Sequence, residues 1–198
     1  TDADWFRSSG LKLDERGYVT VDGYGRTNLD GVWALGDITP GHALAHRAFE
    51  QGITIAEKIA GADPKPVLDD TVPQVVFSFP EAASVGLTLD QAKAREDVVE
   101  PKETAYPMLS NARMLMSGEG GSMTVVSGAF ANNPDMQVVL GVHIVSPIAS
   151  DLIAEAEQLV GNRVPLADAA RLIHPHPTFS ETLGEALLKA DGRPLHTR

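Results

Sequence analysis

The sequence contains no cysteine. Disulfides, thiolate metal sites and a cysteine nucleophile within this chain are therefore excluded, although the absence does not identify a compartment. Basic residues are scarce: 16 Lys and Arg stand against 27 Asp and Glu, a net charge of −11. No run of five Lys or Arg occurs, so a nucleic-acid partner, which needs basic stripes to neutralise phosphates, is not expected. Long apolar runs are missing as well. The longest, Val138 to Val145, is far short of the ~20 residues of a membrane helix. The chain opens on Thr1-Asp2-Ala3-Asp4-Trp5, acidic where a secretory leader is basic. No membrane partner is expected, and the expected location is cytoplasmic. A glycine-rich dinucleotide fingerprint is also lacking, since Gly118-Glu119-Gly120-Gly121 has the wrong spacing and no strand–helix context. Internal repeats and low-complexity tracts are absent.

What remains is ordinary globular material. Hydrophobic residues make up 43% and charged residues 22% of 198, enough for one or two domains with real cores. Leu11–Gly17 leads into an alternating strand at Tyr18–Val21, with turn chemistry at Asp22-Gly23. Val32–Leu35, bounded by turn residues, predicts a strand buried on both faces, and Gly36-Asp37 ends it. A helix is predicted over Ala43–Ile59, stopped by Gly61. Residues 62–73, rich in Pro and Asp, predict a linker. Beyond it, strands are predicted at Val75–Phe79, Met123–Phe130 and Met136–Val145, the last two joined by a loop at Asn132–Asp135. Helices are predicted at Leu87–Arg95 with Thr88 as cap, from Ser146-Pro147 onward in N-cap and N1 order, after Pro165, and from Thr178 to Ala190. The fold class is α+β: an antiparallel sheet with helices on one face. Residues 67–198 form this domain, and residues 1–66 form a separate α/β part.

Two short runs carry chemistry. Val32-Trp33-Ala34-Leu35-Gly36-Asp37 puts a carboxylate at the end of a strand, where open α/β sheets bind ligands. The following helix start, Ala43-Leu44-Ala45-His46, offers free N–H groups and a positive dipole end. Asp37 as a simple cap is the alternative. The second run is Ile173-His174-Pro175-His176-Pro177-Thr178-Phe179-Ser180-Glu181. Three readings compete. The two histidines, spaced i and i+2, suit a metal, but no third ligand is nearby, and no metal is expected. Thr178-x-x-Glu181 suits a capping box. His176 with Glu181 also suits an imidazole–carboxylate pair able to deprotonate a thiol. His143 sits in an apolar strand and reads as a satisfied core or interface residue.

Arg26-Thr27-Asn28 with Gly31–Asp37 resembles the second flavin-binding signature of the pyridine nucleotide–disulfide oxidoreductases. The His-x-His-Pro-Thr-x-Ser-Glu run resembles the motif of the dihydrolipoamide dehydrogenases within that family. Val72–Gly86 and Leu140–Ile153 follow the family's interface domain in order and spacing, so the likeness covers nearly the whole chain. Ala43 stands where the family has Met. The resemblance implies that His176 is the acid/base residue with Glu181 as partner, and that the His176–Pro177 bond is cis. It assigns Gly36, Asp37, Ala43, Leu44, Ala45, His46 and Pro177 to cofactor binding. FAD and NAD are the implied cofactors, a symmetric homodimer through residues after about Asp69 the implied assembly, and 2-oxoacid dehydrogenase complexes the implied setting. Residues 1–66 then read as the remnant of an FAD-binding domain. The family's amino-terminal FAD fingerprint, Cys pair and NAD domain have no counterpart here. The chain therefore reads as a fragment of one twice as long or more, inactive alone and without tight FAD binding. The related enzyme readings are a disulfide reductase of the glutathione, mycothione or mercuric type, or a quinone reductase. The reading without chemistry is a dimerisation module.

Overall fold

The structure is a computed structural model that describes residues 4–197; Thr1–Ala3 of the acidic opening lie outside the described residues. The chain divides between Val72 and Pro73 into two units. The division falls later than the expected boundary after residue 66. Its physical cause is Arg47, whose Nε donates to Asp69 Oδ1 at 2.6 Å and ties the expected linker to the first unit.

The first unit holds a one-turn helix α1 (Asp4–Arg7) and a long helix α2 (Ala45–Ile59). Its core is small: Phe6, Val19 and Ala34, with Leu11, Leu13 and Val21 against them. The expected hairpin at Leu11–Val21 exists only as a single bridge, Leu13 to Val19. Val32–Leu35 is not a strand buried on both faces. It makes one bridge, Arg26 to Trp33, and Val32 and Leu35 are exposed while Ala34 is buried. A parallel strand needs neighbours, and no ladder forms among the described residues of this unit. Helix α2 begins two residues later than predicted, because Leu44 is extended (φ −136°, ψ 129°) and caps it without a side-chain bond. Ala43 and Leu44 are therefore in the approach to the helix.

The second unit is an antiparallel five-stranded sheet in the order β1-β2-β5-β4-β3. The strands are β1 (Gln74–Val76), β2 (Glu81–Gly86), β3 (Val98–Pro107), β4 (Ser122–Phe130) and β5 (Asn133–Ser146). The helices are α3 (Leu89–Ala94), α4 (Ala112–Ser117), α5 (Ala149–Gly161), α6 (Leu166–Ala169) and α7 (Glu181–Ala190). Thr88 is the expected cap, and it forms a full capping box with Gln91, so α3 starts at Leu89 and not at Leu87. Two strands were not expected from the pattern: β2, whose Glu-Ala-Ala-Ser-Val-Gly is poor in β-formers, and β3, which spells Val-Val-Glu-Pro-Lys-Glu-Thr-Ala-Tyr-Pro and whose charged, exposed residues hide the alternation. Val75–Phe79 shortens to β1, with Phe77 and Phe79 exposed beyond it. The loop expected at Asn132–Asp135 is tighter, for β5 already starts at Asn133. Ser146 ends β5, and Ile148 is the N-cap of α5, so Ser146-Pro147 does not open that helix.

Strict alternation in β5 would place Val138, Leu140, Val142 and Ile144 on one face. The structure separates them. Val142 and Ile144 join the main core with α5 and α7, while Val138 and Leu140 join a second cluster with Ala92 of α3. The register with β4 steps from Val126/Gly141 to Ser127/Val139, leaving Leu140 as an extra residue. This is a β-bulge, which inverts the inside–outside parity of the strand beyond it. Gly141 pairs with Gly86 of β2 at this point. A Cβ on Gly141 would run into the Leu87 carbonyl, and one on Gly86 into the Leu140 carbonyl. Gly141→Ala is expected to cost roughly 1–3 kcal/mol through overpacking against backbone, read as a lower thermal midpoint. An unchanged midpoint would show that the crossing tolerates a methyl group.

Candidate active site

The residues singled out by sequence fall into two groups, one in each unit. In the first unit, Gly36–Ile38 forms a 3-10 turn, held to α2 by the Gly36 N–H donating to Gln51 Oε1 at 2.9 Å. Gly36 is buried and Asp37 is exposed. The Asp37 carboxylate makes no hydrogen bond or ion pair among the described residues, so it is not the cap of a turn. Ala43, Ala45 and His46 are exposed at the start of α2. The strap before them is fixed by Arg47, whose guanidinium is buried. Besides Asp69 it donates to the carbonyls of Pro40 at 2.7 Å and His42 at 3.4 Å. Gly41 has φ +116°, and any side chain there would overlap the Arg47 guanidinium. Sequence reading missed Arg47, because a single Arg inside an amphipathic helix carries no sign that it turns inward.

In the second unit, the segment between α6 and α7 presents His176. The His176–Pro177 bond is cis. His176 Nδ1 lies 2.8 Å from Glu181 Oε1, with the imidazole 67% and the carboxylate 18% exposed. The other carboxylate oxygen, Oε2, accepts from the Thr178 N–H at 2.7 Å. Glu181 therefore holds the loop backbone at Thr178 and orients the imidazole at once. The hydrogen-bonded pair is present, but the expected capping box is not: α7 starts at Glu181 and not at Thr178, with Ser180 as its N-cap and no side-chain cap bond. The Thr178 hydroxyl does not cap the helix; it donates to the Pro175 carbonyl at 2.7 Å. An ionised carboxylate only accepts, so the proton of a neutral His176 sits on Nδ1 and the Nε2 lone pair is free. Burial alone would raise the Glu181 pKa. The hydrogen bonds from Thr178 and His176 outweigh that effect and hold the carboxyl below its ordinary value.

Around the pair, a cavity of about 150 Å³ is lined by Asn111, Leu115, His176, Glu181, Glu185 and His196 among others. Asn111 Oδ1 accepts from Arg113 N and Met114 N at the start of α4, and its Nδ2 donates to the Thr178 carbonyl at 3.1 Å. Glu185 lies one turn after Glu181 on α7, on the same face. It holds His196, with His196 Nδ1 at 2.7 Å from Oε1. Tyr106 lies beneath, fully buried with an unbonded hydroxyl. Its pKa is pushed up by burial and then by the charges of Glu185 and Glu181. Asn111 had a readable signal, an Asx residue before Ala112-Arg-Met-Leu-Met. Glu185 and His196 had none, being joined by an irregular tail. His174 and His176 are bonded to different carboxylates, Glu155 and Glu181, and no group of three metal-binding side chains occurs among the described residues. His143 is half-buried, with Nε2 3.2 Å from the Leu87 carbonyl oxygen.

A depressed carboxyl pKa contributes stability that is complete above the unfolded value and lost as pH falls through the folded one. The stability difference between the protein and its Glu181→Gln variant is therefore expected to shrink as pH falls below about 4.5. Denaturant unfolding at a series of pH values measures it, and a difference that grows on acidification would contradict the assignment.

Residues 72–187 match the family model for the dimerisation domain of pyridine nucleotide-disulphide oxidoreductases, and residues 1–52 match a second model described as pyridine nucleotide-disulphide oxidoreductase. The dihydrolipoyl dehydrogenase of Cupriavidus necator is 41% identical over 189 residues, covering 94% of this chain and 38% of that protein. The dihydrolipoyl dehydrogenase of Bacillus subtilis is 38% identical over 185 residues, covering 93% of this chain and 38% of that protein. Among solved structures, LpdA of Mycobacterium tuberculosis superposes with a TM-score of 0.82 at 31% identity, over 91% of this chain and 38% of that one. The chain thus spans well under half the length of the relatives it matches. It belongs to the pyridine nucleotide–disulphide oxidoreductase family, with residues 72–187 as its dimerisation domain.

Proposed function

We propose that this chain is part of an FAD-dependent dihydrolipoamide dehydrogenase, which oxidises dihydrolipoamide with NAD as final acceptor. The observation that carries the proposal is the His176–Glu181 bond of 2.8 Å on an exposed imidazole whose Nε2 is free. In this reading Nε2 accepts the proton of a substrate thiol, and Glu181 stabilises the imidazolium that forms. Thiols ionise near 8.5 and imidazoles near 6.5, so a positioned histidine makes that transfer accessible at neutral pH. The thiolate, not the thiol, is the nucleophile in disulfide exchange. The similarity to the dihydrolipoyl dehydrogenases of Cupriavidus necator and Bacillus subtilis supports the substrate.

FAD, when bound, relays the electron pair between the thiol–disulfide centre and NAD. The first unit fits it in part. Asp37 is an exposed carboxylate without a bond of its own, suited to accept from the ribityl hydroxyls, and Gly36 and the Ala43–His46 start of α2 stand beside it in sequence. We assign residues 1–66 to the FAD-binding domain and 67–198 to the interface domain. Pro177, next to the acid/base residue, is assigned to the cofactor side of the site. The chain holds no cysteine, so it cannot exchange disulfides unaided. It is proposed to be inactive by itself and to bind FAD weakly.

The proposed assembly is a homodimer through the residues after Asp69, in the setting of a 2-oxoacid dehydrogenase complex. Edge strand β1 leaves Val76, Phe77 and Phe79 exposed, a sheet edge and an apolar patch of the kind that soluble proteins cover. No helix of the described residues is long and apolar enough to cross a membrane, and the proposed location is cytoplasmic.

Two measurements test this reading. In the complete protein, His176→Gln is expected to lower kcat for dihydrolipoamide oxidation about 10²- to 10⁴-fold with little change in KM; an unchanged kcat refutes the role of His176. Light scattering is expected to give twice the 21.1 kDa mass of this chain, and a monomer at high micromolar concentration refutes the dimer.

A further inference from the structure

We propose that His174 is a positioning residue for the acid/base pair: it bolts the loop carrying His176 to α5 and α7 and thereby fixes where His176 aims Nε2. The inference rests on the reading of His176 as the group that handles the substrate proton.

The loop from residue 170 to residue 180 is irregular and largely exposed, and Ile173 is 97% exposed. Such a segment is a poor platform for a group that must be held within a fraction of an ångström. Its second half has its own ties: Thr178 to Pro175, Glu181 to Thr178, and Asn111 from the start of α4 to the Thr178 carbonyl. All of them lie at or after Pro175. The first half is held by His174. Its side chain is only 10% exposed, and Nε2 lies 2.8 Å from Glu155 Oε1 on α5.

A second observation points the same way. On α7, a Cβ added to Gly184 would lie 2.5 Å from His174 Nδ1 and 2.9 Å from Cε1. The imidazole therefore lies directly against the α7 backbone, in a space that only glycine leaves open. His174 is thus fixed from two helices, one supplying a carboxylate and the other a close-packed wall. Two residues further on, with Pro175 between, stands His176. A stiff prolyl link passes the position of one imidazole to the next, because its φ is fixed.

The electrostatics agree. The bond to Glu155 raises the His174 pKa, burial works against it, and the charge of Glu155, the Leu172 backbone and the charge of Glu181 raise it further. The charged groups that face the ring are Glu155 from α5 and Glu181 from α7. A cationic His174 in turn helps keep Glu181 ionised, which preserves the acceptor that sets the His176 tautomer. His174 does not line the cavity beside His176, so it acts on the reaction through the His176–Glu181 pair.

The test uses three variants, His174→Leu, His174→Gln and Glu155→Gln. In the complete protein, His174→Leu is expected to lower kcat about 10- to 100-fold, the scale set by displacing a reacting group by roughly 1 Å, with KM unchanged. His174→Gln keeps a donor for Glu155 and is expected to recover part of the loss. Glu155→Gln preserves shape, and it carries the test if the leucine variant fails to fold. The second readout is independent of turnover. Nitrogen-15 spectra of the imidazoles in the 198-residue chain are expected to show His176 protonated at Nδ1, moving toward an Nε2–H mixture in His174→Leu and Glu155→Gln. Unchanged kcat and an unchanged His176 tautomer in both variants overturn the proposal. If His176→Gln itself leaves turnover intact, the proposed function fails, while the tautomer spectra still decide whether His174 positions His176.

Discussion

One carboxylate organises the site. Glu181, the first residue of α7, divides its two oxygens between the Thr178 N–H of the preceding loop and His176 Nδ1. The path of the loop into α7 and the orientation of the imidazole are thereby fixed by one side chain. Near the start of α7 the helix dipole favours the anion, and the anion in turn dictates which ring nitrogen keeps its proton. The cost is a carboxylate held mostly out of water, and the hydrogen bonds more than offset it. The function of the loop and the integrity of the helix cannot be varied separately at this position.

The same pairing is repeated across the second unit. Three glutamates, 155, 181 and 185, each face an imidazole, of His174, His176 and His196. In a chain with 27 acidic and 16 basic residues, carboxylates near the site are matched to histidines and not to Lys or Arg. For His174, whose pKa is raised, the pairing is complete below the ordinary imidazole value of 6.5 and fades as pH rises through the folded value. The tie of His174 to α5 is therefore firmest on the acid side of neutrality.

Sequence reading reached the parts of this molecule whose signals are local. The α3 capping box, the Gly61 stop, the long strands β4 and β5, and the His176–Glu181 spacing are all set by residues within a few positions of one another. What it missed depends on distant neighbours. Val32–Leu35 has the composition of a buried strand but finds no ladder among the described residues. The β3 strand alternates too weakly to be seen, because its edge position leaves Glu100, Lys102 and Glu103 half-exposed or exposed. Arg47 turns inward for carbonyls and a carboxylate that no pattern on α2 announces. Glu185 and His196 meet only because the tail after α7 folds back.

The bulge at Leu140 has a consequence for how this strand can change. Val138 and Val142 have the same spacing parity, yet they belong to different cores. Ironing the bulge out while keeping every residue would swap Val138 with Val139 across the sheet, exchanging the side chain that packs with α3 for the one in the main core. In this stretch the number of residues constrains the protein as strictly as their identity.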